Sequence, residues 1–190
     1  DKVSKYIWDK TFDGQKNQKI TWEHLLNQSS DWKGSLWGIN DWEDRPNPKL
    51  NIDSWRSEVQ KEPGMRYKYN DVRVNVLAYS LLNIYRKSLP KVLQQNIMDK
   101  IGASDSWRWY GYENSWVNID GYMVQSVSGG GHNGGGVFIN SEDHARFGIL
   151  YLNNGLWNGK RIISEEWIKK SVTSSSANPE YGYMWWINHE

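Results

Sequence analysis

A chain with no cysteine must do its chemistry with hydroxyls, carboxylates, amines, imidazoles or phenols, and this 190-residue sequence contains none. Thiolate nucleophiles, disulfides and cysteine metal sites are thereby excluded. A serine nucleophile needs a base within hydrogen-bond reach, and the spacing S-x-x-K puts a lysine one helical turn away. Two copies occur. Ser88-Leu89-Pro90-Lys91 has a proline at its centre, which suits a turn between helices; Ser30-Asp31-Trp32-Lys33 opens a Trp-rich loop with no apolar helix after it. Both read as accidents of composition. A third candidate is a phenol: residues 63 to 71, PGMRYKYND, place Tyr69 two residues before Asp71. A free phenol titrates near ~10, so it is a poor base at neutral pH unless nearby cations favour the phenolate or it relays a proton. Locally, Tyr67 and Tyr69 alternate with Arg66 and Lys68, the pattern of a half-buried extended segment in which tyrosines pack.

The histidines give less. His24, His132, His144 and His189 form no H-E-x-x-H or related pair, and no metal or cofactor is expected. His144 falls in the first turn of an amphipathic helix and should be solvated, and His24 should pack beside Leu25 and Leu26. The glycines flanking His132 would let backbone approach a ligand and leave the imidazole unshielded, although a glycine-lined turn accounts for the same pattern. Gly129 to Gly134 also fits G-x-G-x-x-G, but Val137-Phe138-Ile139 continues as a strand where a dinucleotide loop would open a helix. There is no P-loop.

The elements that would position these groups are mixed. Ile20 to Leu26 reads as a short helix capped by Thr21. Residues 29 to 64 are loop-rich, with Trp32, Trp37, Trp42 and Trp55 between glycines and prolines; so long and aromatic a connection is packed and often functional. Apolar residues at Val74, Leu77, Ala78, Leu81, Leu82 and Tyr85 predict a helix from Val72 to about Lys87. Another is expected from Pro90 to Lys100, with Gly102 beyond its end. Ser141 and Ser164 are expected to cap two more, each with acidic residues in the first turn. Tyr122 to Val127, Gly136 to Ile139 and Tyr183 to Ile187 read as strands. No internal repeat is visible.

Charge and composition narrow the partners. A net charge of +1, with both signs scattered, points away from nucleic acid or another polyanion. No apolar run is long enough to span a bilayer, and no signal peptide is visible. Thirteen Trp and 17 Gly suit either an extensive aromatic core or a groove for a sizeable ligand.

Taken in order, four segments resemble the serine beta-lactamase-related hydrolases, the group holding class C beta-lactamases, DD-peptidases and several esterases and amide hydrolases. Ile20 to Ser30 resembles that family's "ItirhLLtHTSG", and Pro63 to Asp71 resembles "PGxxxxYSN", which holds the Tyr-x-Asn motif. Gly134 to Gly148 resembles "aGGlxsTaxDlarfg", and Gly155 to Trp167 resembles "GxxnGkrilspexv". The likeness covers nearly the whole chain.

The resemblance implies an α+β fold, an antiparallel sheet flanked by helices with a largely helical, loop-rich region (29–120) carrying the tyrosine motif, in one domain over 1–190. It implies an acyl-enzyme mechanism on a small ester or amide substrate, in which Tyr69 shuttles protons and Asp71 positions a lysine or the substrate. Asp71 stands where the family has Asn; a carboxylate there accepts from lysine but cannot donate to a substrate carbonyl, which argues against penicillin-type substrates. Trp37, Trp42 and His132 are candidates for the pocket wall. The family's S-x-x-K precedes the first matched segment, and its Lys-Thr-Gly or His-x-Gly follows a run resembling Tyr181 to Trp186. Both are expected outside residues 1–190, leaving the sheet incomplete and the segment alone inactive. The family is often exported, so a periplasmic or secreted location is expected. The other reading is a non-catalytic glycan or peptidoglycan binder on a degenerate lactamase-like fold.

Overall fold

The computed structural model describes residues 1–44, 51–129 and 135–189. Three single 3-10 turns in the first 19 residues lead to α1 (Trp22–Leu26). Thr21 caps that helix: its hydroxyl accepts from the His24 N–H, and the Thr21 N–H donates back to His24 Nδ1, both at 3.2 Å. An imidazole thus takes the place a glutamate usually fills in a capping box.

The long aromatic connection holds a two-residue hairpin, β1 (Ser35–Leu36) with β2 (Ile39–Asn40), and a short helix α2 (Ile52–Arg56). The central element is α3 (Asp71–Tyr85), whose residues from Asp71 to Ala78 are all buried. Asn70 caps it, its side-chain oxygen accepting from the Arg73 N–H at 3.0 Å. Arg86 closes it in the left-handed region at φ 53°. The next helix, α4 (Leu89–Leu93), starts one residue before the expected Pro90 and passes into a π-helical turn at Gln94–Met98, with Gly102 at φ +69° beyond.

The second half alternates short strands with helices. β3 (Arg108–Tyr110) pairs with β6 (Gly136–Phe138), and β4 (Trp116–Ile119) pairs with β5 (Tyr122–Gln125). After α5 (Ser141–Leu152) comes the pair β7 (Leu156–Trp157) and β8 (Lys160–Arg161), then α6 (Glu165–Ser171). All four pairs are antiparallel and two-stranded, with no closed sheet among the described residues. The fold is α+β, as the resemblance implied, with helices and short antiparallel strands.

Two expectations are corrected in detail. Asn140, not Ser141, caps α5, because its side-chain oxygen receives the Asp143 N–H at 2.8 Å; Ser164 does cap α6. Tyr183–Ile187 is not a strand. Only one bridge, between Tyr181 and Trp186, forms there, because the chain turns back on itself at Met184, whose φ is 62°.

The principal core joins Val3, Ile7, Phe12, Ile20, Leu25 and Trp32 to Val72, Val76 and Leu77 of α3. A second gathers Met98, Ile101, Trp107 and Leu150, and a small cluster of Ala78, Leu89 and Val127 lies between α3 and α4. α3 therefore supplies side chains to two cores. Its N-terminal end is fixed from several directions, and there the tyrosine motif sits.

Candidate active site

Tyr69 precedes the cap of α3 by one residue, and the loop 28–31 holds the strand-like approach to it. The Gln28 carbonyl accepts from the Lys68 N–H at 2.9 Å, and the Gln28 side-chain oxygen accepts from the Asn70 N–H at 3.2 Å. The backbone is thus pinned one residue to either side of Tyr69. Gln28 is itself fully buried, and its amide donates to the Leu25 carbonyl at 3.1 Å. Gln28 and Asp31 both occupy the left-handed region, at φ 55° and 45°. Such conformations in non-glycine residues persist only where the surroundings over-determine them. Here the surroundings are the tyrosine strand itself.

A buried ion network ties the same pieces together. Asp31 accepts from Arg73 at 2.9 Å and from Arg66 at 3.0 Å, and takes the Lys61 N–H at 2.6 Å. Arg73, also buried, donates to the carbonyls of Trp32 at 3.2 Å and Lys68 at 3.3 Å. Burial pushes the Asp31 carboxyl up, but the Lys61 N–H and the two guanidiniums outweigh it and hold it below its ordinary value. Glu58 bonds both Arg66 and Lys68, and these partners overcome its burial to hold it at about 2.

The ring of Tyr69 lies in an aromatic cluster. Trp186 stacks on it with centroids 6.3 Å apart and planes at 28°, and Tyr181 meets it edge-on at 6.3 Å. Tyr67 packs on Tyr181 at 5.1 Å. Tyr181 is buried, and burial, reinforced by Tyr67, Tyr69 and Asp71, raises its phenol above the ordinary range. Tyr69 is half-buried and Trp186 is 65% exposed, so the stacked pair stands at the solvent border. Asp71, buried in the first turn of α3, donates its N–H to the Asp44 carboxylate.

The other candidates are distributed as follows. Trp42 is half-buried in the loop 41–44, whose Asp41 carbonyl takes the Asn70 side-chain amide at 2.7 Å and whose Asp44 holds Asp71. Trp37 packs edge-on against Tyr79 of α3 at 5.6 Å, two turns along from the motif. His132 lies outside the described residues. His24 is half-buried, its ring on the Thr21 cap and beside Gly64 and its imidazole pushed below its ordinary value first by burial, and His144 is exposed. Neither S-x-x-K copy makes a dyad. Ser30 is fully buried with its hydroxyl turned to the Trp32 N–H, while Lys33 pairs with Asp41 at 3.2 Å. Ser88 and the exposed Lys91 line an open cleft of about 590 Å³ beside α4. Among the described residues, no group of three or more His, Asp or Glu side chains could hold a metal, and no helix is long and apolar enough to cross a membrane.

Sequence reasoning had not singled out Gln28, Asp31, Arg73 or Tyr181. Arginine inside a helix ordinarily faces water, and nothing local marks Arg73 as buried. Tyr181 and Trp186 appeared only as the ends of the run 181–186 matched to the family.

Comparison with known proteins adds the family. A search of curated proteins gave no match. Among solved structures, a Bacteroides dorei DSM 17855 protein assigned as a beta-lactamase superposes with a TM-score of 0.66 at 16% identity, over 98% of this chain and 57% of its own. A penicillin binding protein from Bacillus halodurans gives 0.61 at 17%, over 99% and 60%. A Bacillus anthracis protein assigned as a 6-aminohexanoate-dimer hydrolase gives 0.62 at 19%, over 100% and 52%. At these identities the likeness concerns the fold, and the chain spans between 52% and 60% of these relatives' lengths. The Beta-lactamase family model matches residues 1–190 from first to last, and the chain belongs to that family.

Proposed function

We propose that the polypeptide carrying this chain is a serine hydrolase that cleaves an ester or amide through an acyl-enzyme. The observation that carries the reading is the immobilised Tyr69: its backbone is pinned on both sides by Gln28, and its ring stands at the solvent border under Trp186. A serine brought by the remainder of the polypeptide attacks the carbonyl carbon. Tyr69 takes the serine proton and delivers it to the leaving group, and water then releases the acyl group by the same exchange in reverse. Asp71 positions the attendant lysine or the substrate. The loop carrying Trp42 flanks the motif, so Trp42 forms the nearer part of the pocket wall and Trp37 the farther. Residues 1–190 alone have no turnover in this reading; the Ser30 hydroxyl meets the Trp32 N–H while Lys33 pairs with Asp41. Among the family's substrates, Asp71 argues against penicillin-type ones, because a carboxylate in the place of the family's Asn cannot donate to a substrate carbonyl. Export to the periplasm or the exterior is the corresponding location.

The test is active-site acylation of the full-length polypeptide by a fluorescent phosphonate or penicillin, read by mass spectrometry. Labelling at a serine followed three residues later by lysine, reduced about 100-fold or more in rate by Tyr69→Phe, is the expected result. Labelling at Ser30 overturns the assignment of the nucleophile. No labelling by either probe, with nitrophenyl esters also left intact, favours a binding module instead.

A further inference from the structure

Trp8 is 91% exposed, the most exposed large apolar side chain among the described residues, and this exposure does not come from a loose loop. Its indole N–H donates to the Lys5 carbonyl at 3.3 Å. The next residue, Asp9, accepts the Thr11 N–H at 2.8 Å and the Tyr79 hydroxyl of α3. The ring is therefore anchored by its polar edge and through its neighbour, while both faces remain open to water.

Two clefts meet at this ring. One, of about 600 Å³, is lined by residues of the first 18, including Lys2, Ser4 and Gln18; the other, of about 520 Å³, runs past Tyr6 to Asn83, Arg86 and Asp120. Ile7, Trp8 and Asp9 belong to both. The far wall is fixed as well. Arg86, at the end of α3, and Asp120, in the turn between β4 and β5, form a two-pronged ion pair with Nε to Oδ2 at 3.0 Å. Both residues are left-handed, at φ 53° and 52°.

We propose that Trp8 is the stacking platform of a glycan-binding site that runs from one cleft to the other. Each cleft is within the range of small-ligand sites. The charges cancel locally, Lys2 and Lys5 against Asp9 and Asp13 on one side and Arg86 against Asp120 on the other, so a net-charged ligand gains little. A neutral ligand with hydroxyls on its rim and an apolar C–H face fits a flat indole bordered by amide, hydroxyl and carboxylate groups, and a sugar chain has that chemistry. A flat β-1,4-linked chain can lie across one ring and reach polar groups at both ends. The site uses neither Tyr69 nor Asp71, so it stands or falls apart from the hydrolase reading.

The experiment titrates the full-length polypeptide with N-acetylchitotetraose and reads saturation-transfer NMR and calorimetry. Binding is expected at micromolar to millimolar strength, weakened about tenfold or more by Trp8→Ala and largely restored by Trp8→Phe. Phosphonate labelling is expected to be unchanged in both variants. Equal affinity of wild type and Trp8→Ala, or no binding by the wild type, overturns the proposal. So does protection of Trp8 from N-bromosuccinimide in the folded protein, since the remainder of the polypeptide would then cover the ring.

Discussion

Arg73 and Asp31 show how much the segment bearing Tyr69 depends on buried charges. Both are about 1% exposed and 2.9 Å apart, within a network that also takes in Arg66 and the Lys61 N–H. Removing one partner from such a pair costs about 3–5 kcal/mol, because the survivor stays buried and uncompensated, whereas replacing both with apolar groups costs far less. Asp31→Asn, which tolerates the left-handed backbone and leaves Arg73 buried without its nearest carboxylate, is therefore expected to lower stability by about that amount; Arg73→Met costs less, because Asp31 keeps Arg66 and the Lys61 N–H, and the double change costs clearly less than the sum of the single ones, in urea unfolding. The same network sets the acid limit. Glu58 and Asp31 are both held below their ordinary values, so their contribution is present above the unfolded carboxyl range and is lost as pH falls. For Glu58 that loss runs from about 4.5 down to about 2. Unfolding midpoints measured between pH 6 and 2 should fall across this window, and Glu58→Gln should flatten part of the slope.

At the scale of elements, the short strand-like run into Tyr69 depends on the turn that begins it. Gly64 has φ +91°, its N–H donates to the Ser29 carbonyl at 2.8 Å, and a methyl group there would meet His24 Nε2 at 3.1 Å. Gly64→Ala therefore combines left-handed strain with a close contact, and a loss of about 1–2 kcal/mol is expected by thermal unfolding. Thr21→Ala, which removes only the cap of α1, should cost about 1 kcal/mol. The elements legible in the sequence were those with a period or a cap. α1, α3 and α6 were read from Thr21, from the spacing of Val74, Leu77, Ala78, Leu81 and Leu82, and from Ser164. Tyr183–Ile187 misled because its apolar run has strand composition, while its backbone is decided by the turn at Met184 and by a bond from the Met184 N–H to the Leu26 carbonyl at 2.9 Å. Tyr69 became a candidate through resemblance, its local pattern reading as packing. The groups that hold it, Gln28 and Asp31, sit about 40 residues earlier in a loop whose left-handed turns no local pattern announces.

At the scale of the whole molecule, the strands among the described residues come as four pairs, each with open edges, and apolar side chains stand out on them. Trp116, Tyr122 and Met123 on the β4–β5 hairpin are all more than half exposed. Open edges with apolar faces recruit further strands, and a lysine on such an edge opposes this. Met123→Lys is expected to raise the concentration at which residues 1–190 begin to scatter light, while leaving α3 and its cores unaltered by circular dichroism. The last segment of the chain has a different consequence. Met184 closes on Leu26, and the Tyr183 hydroxyl reaches Glu23, 160 residues earlier. Trp186 and Tyr181 arrive at Tyr69 on that same closure. Contacts so distant along the chain are entropically the slowest to form, so α3 with its local partners is in place first. On the ribosome, the tyrosine motif emerges long before its aromatic cover. The surroundings of Tyr69 are therefore completed only when nearly the whole of this chain has been made.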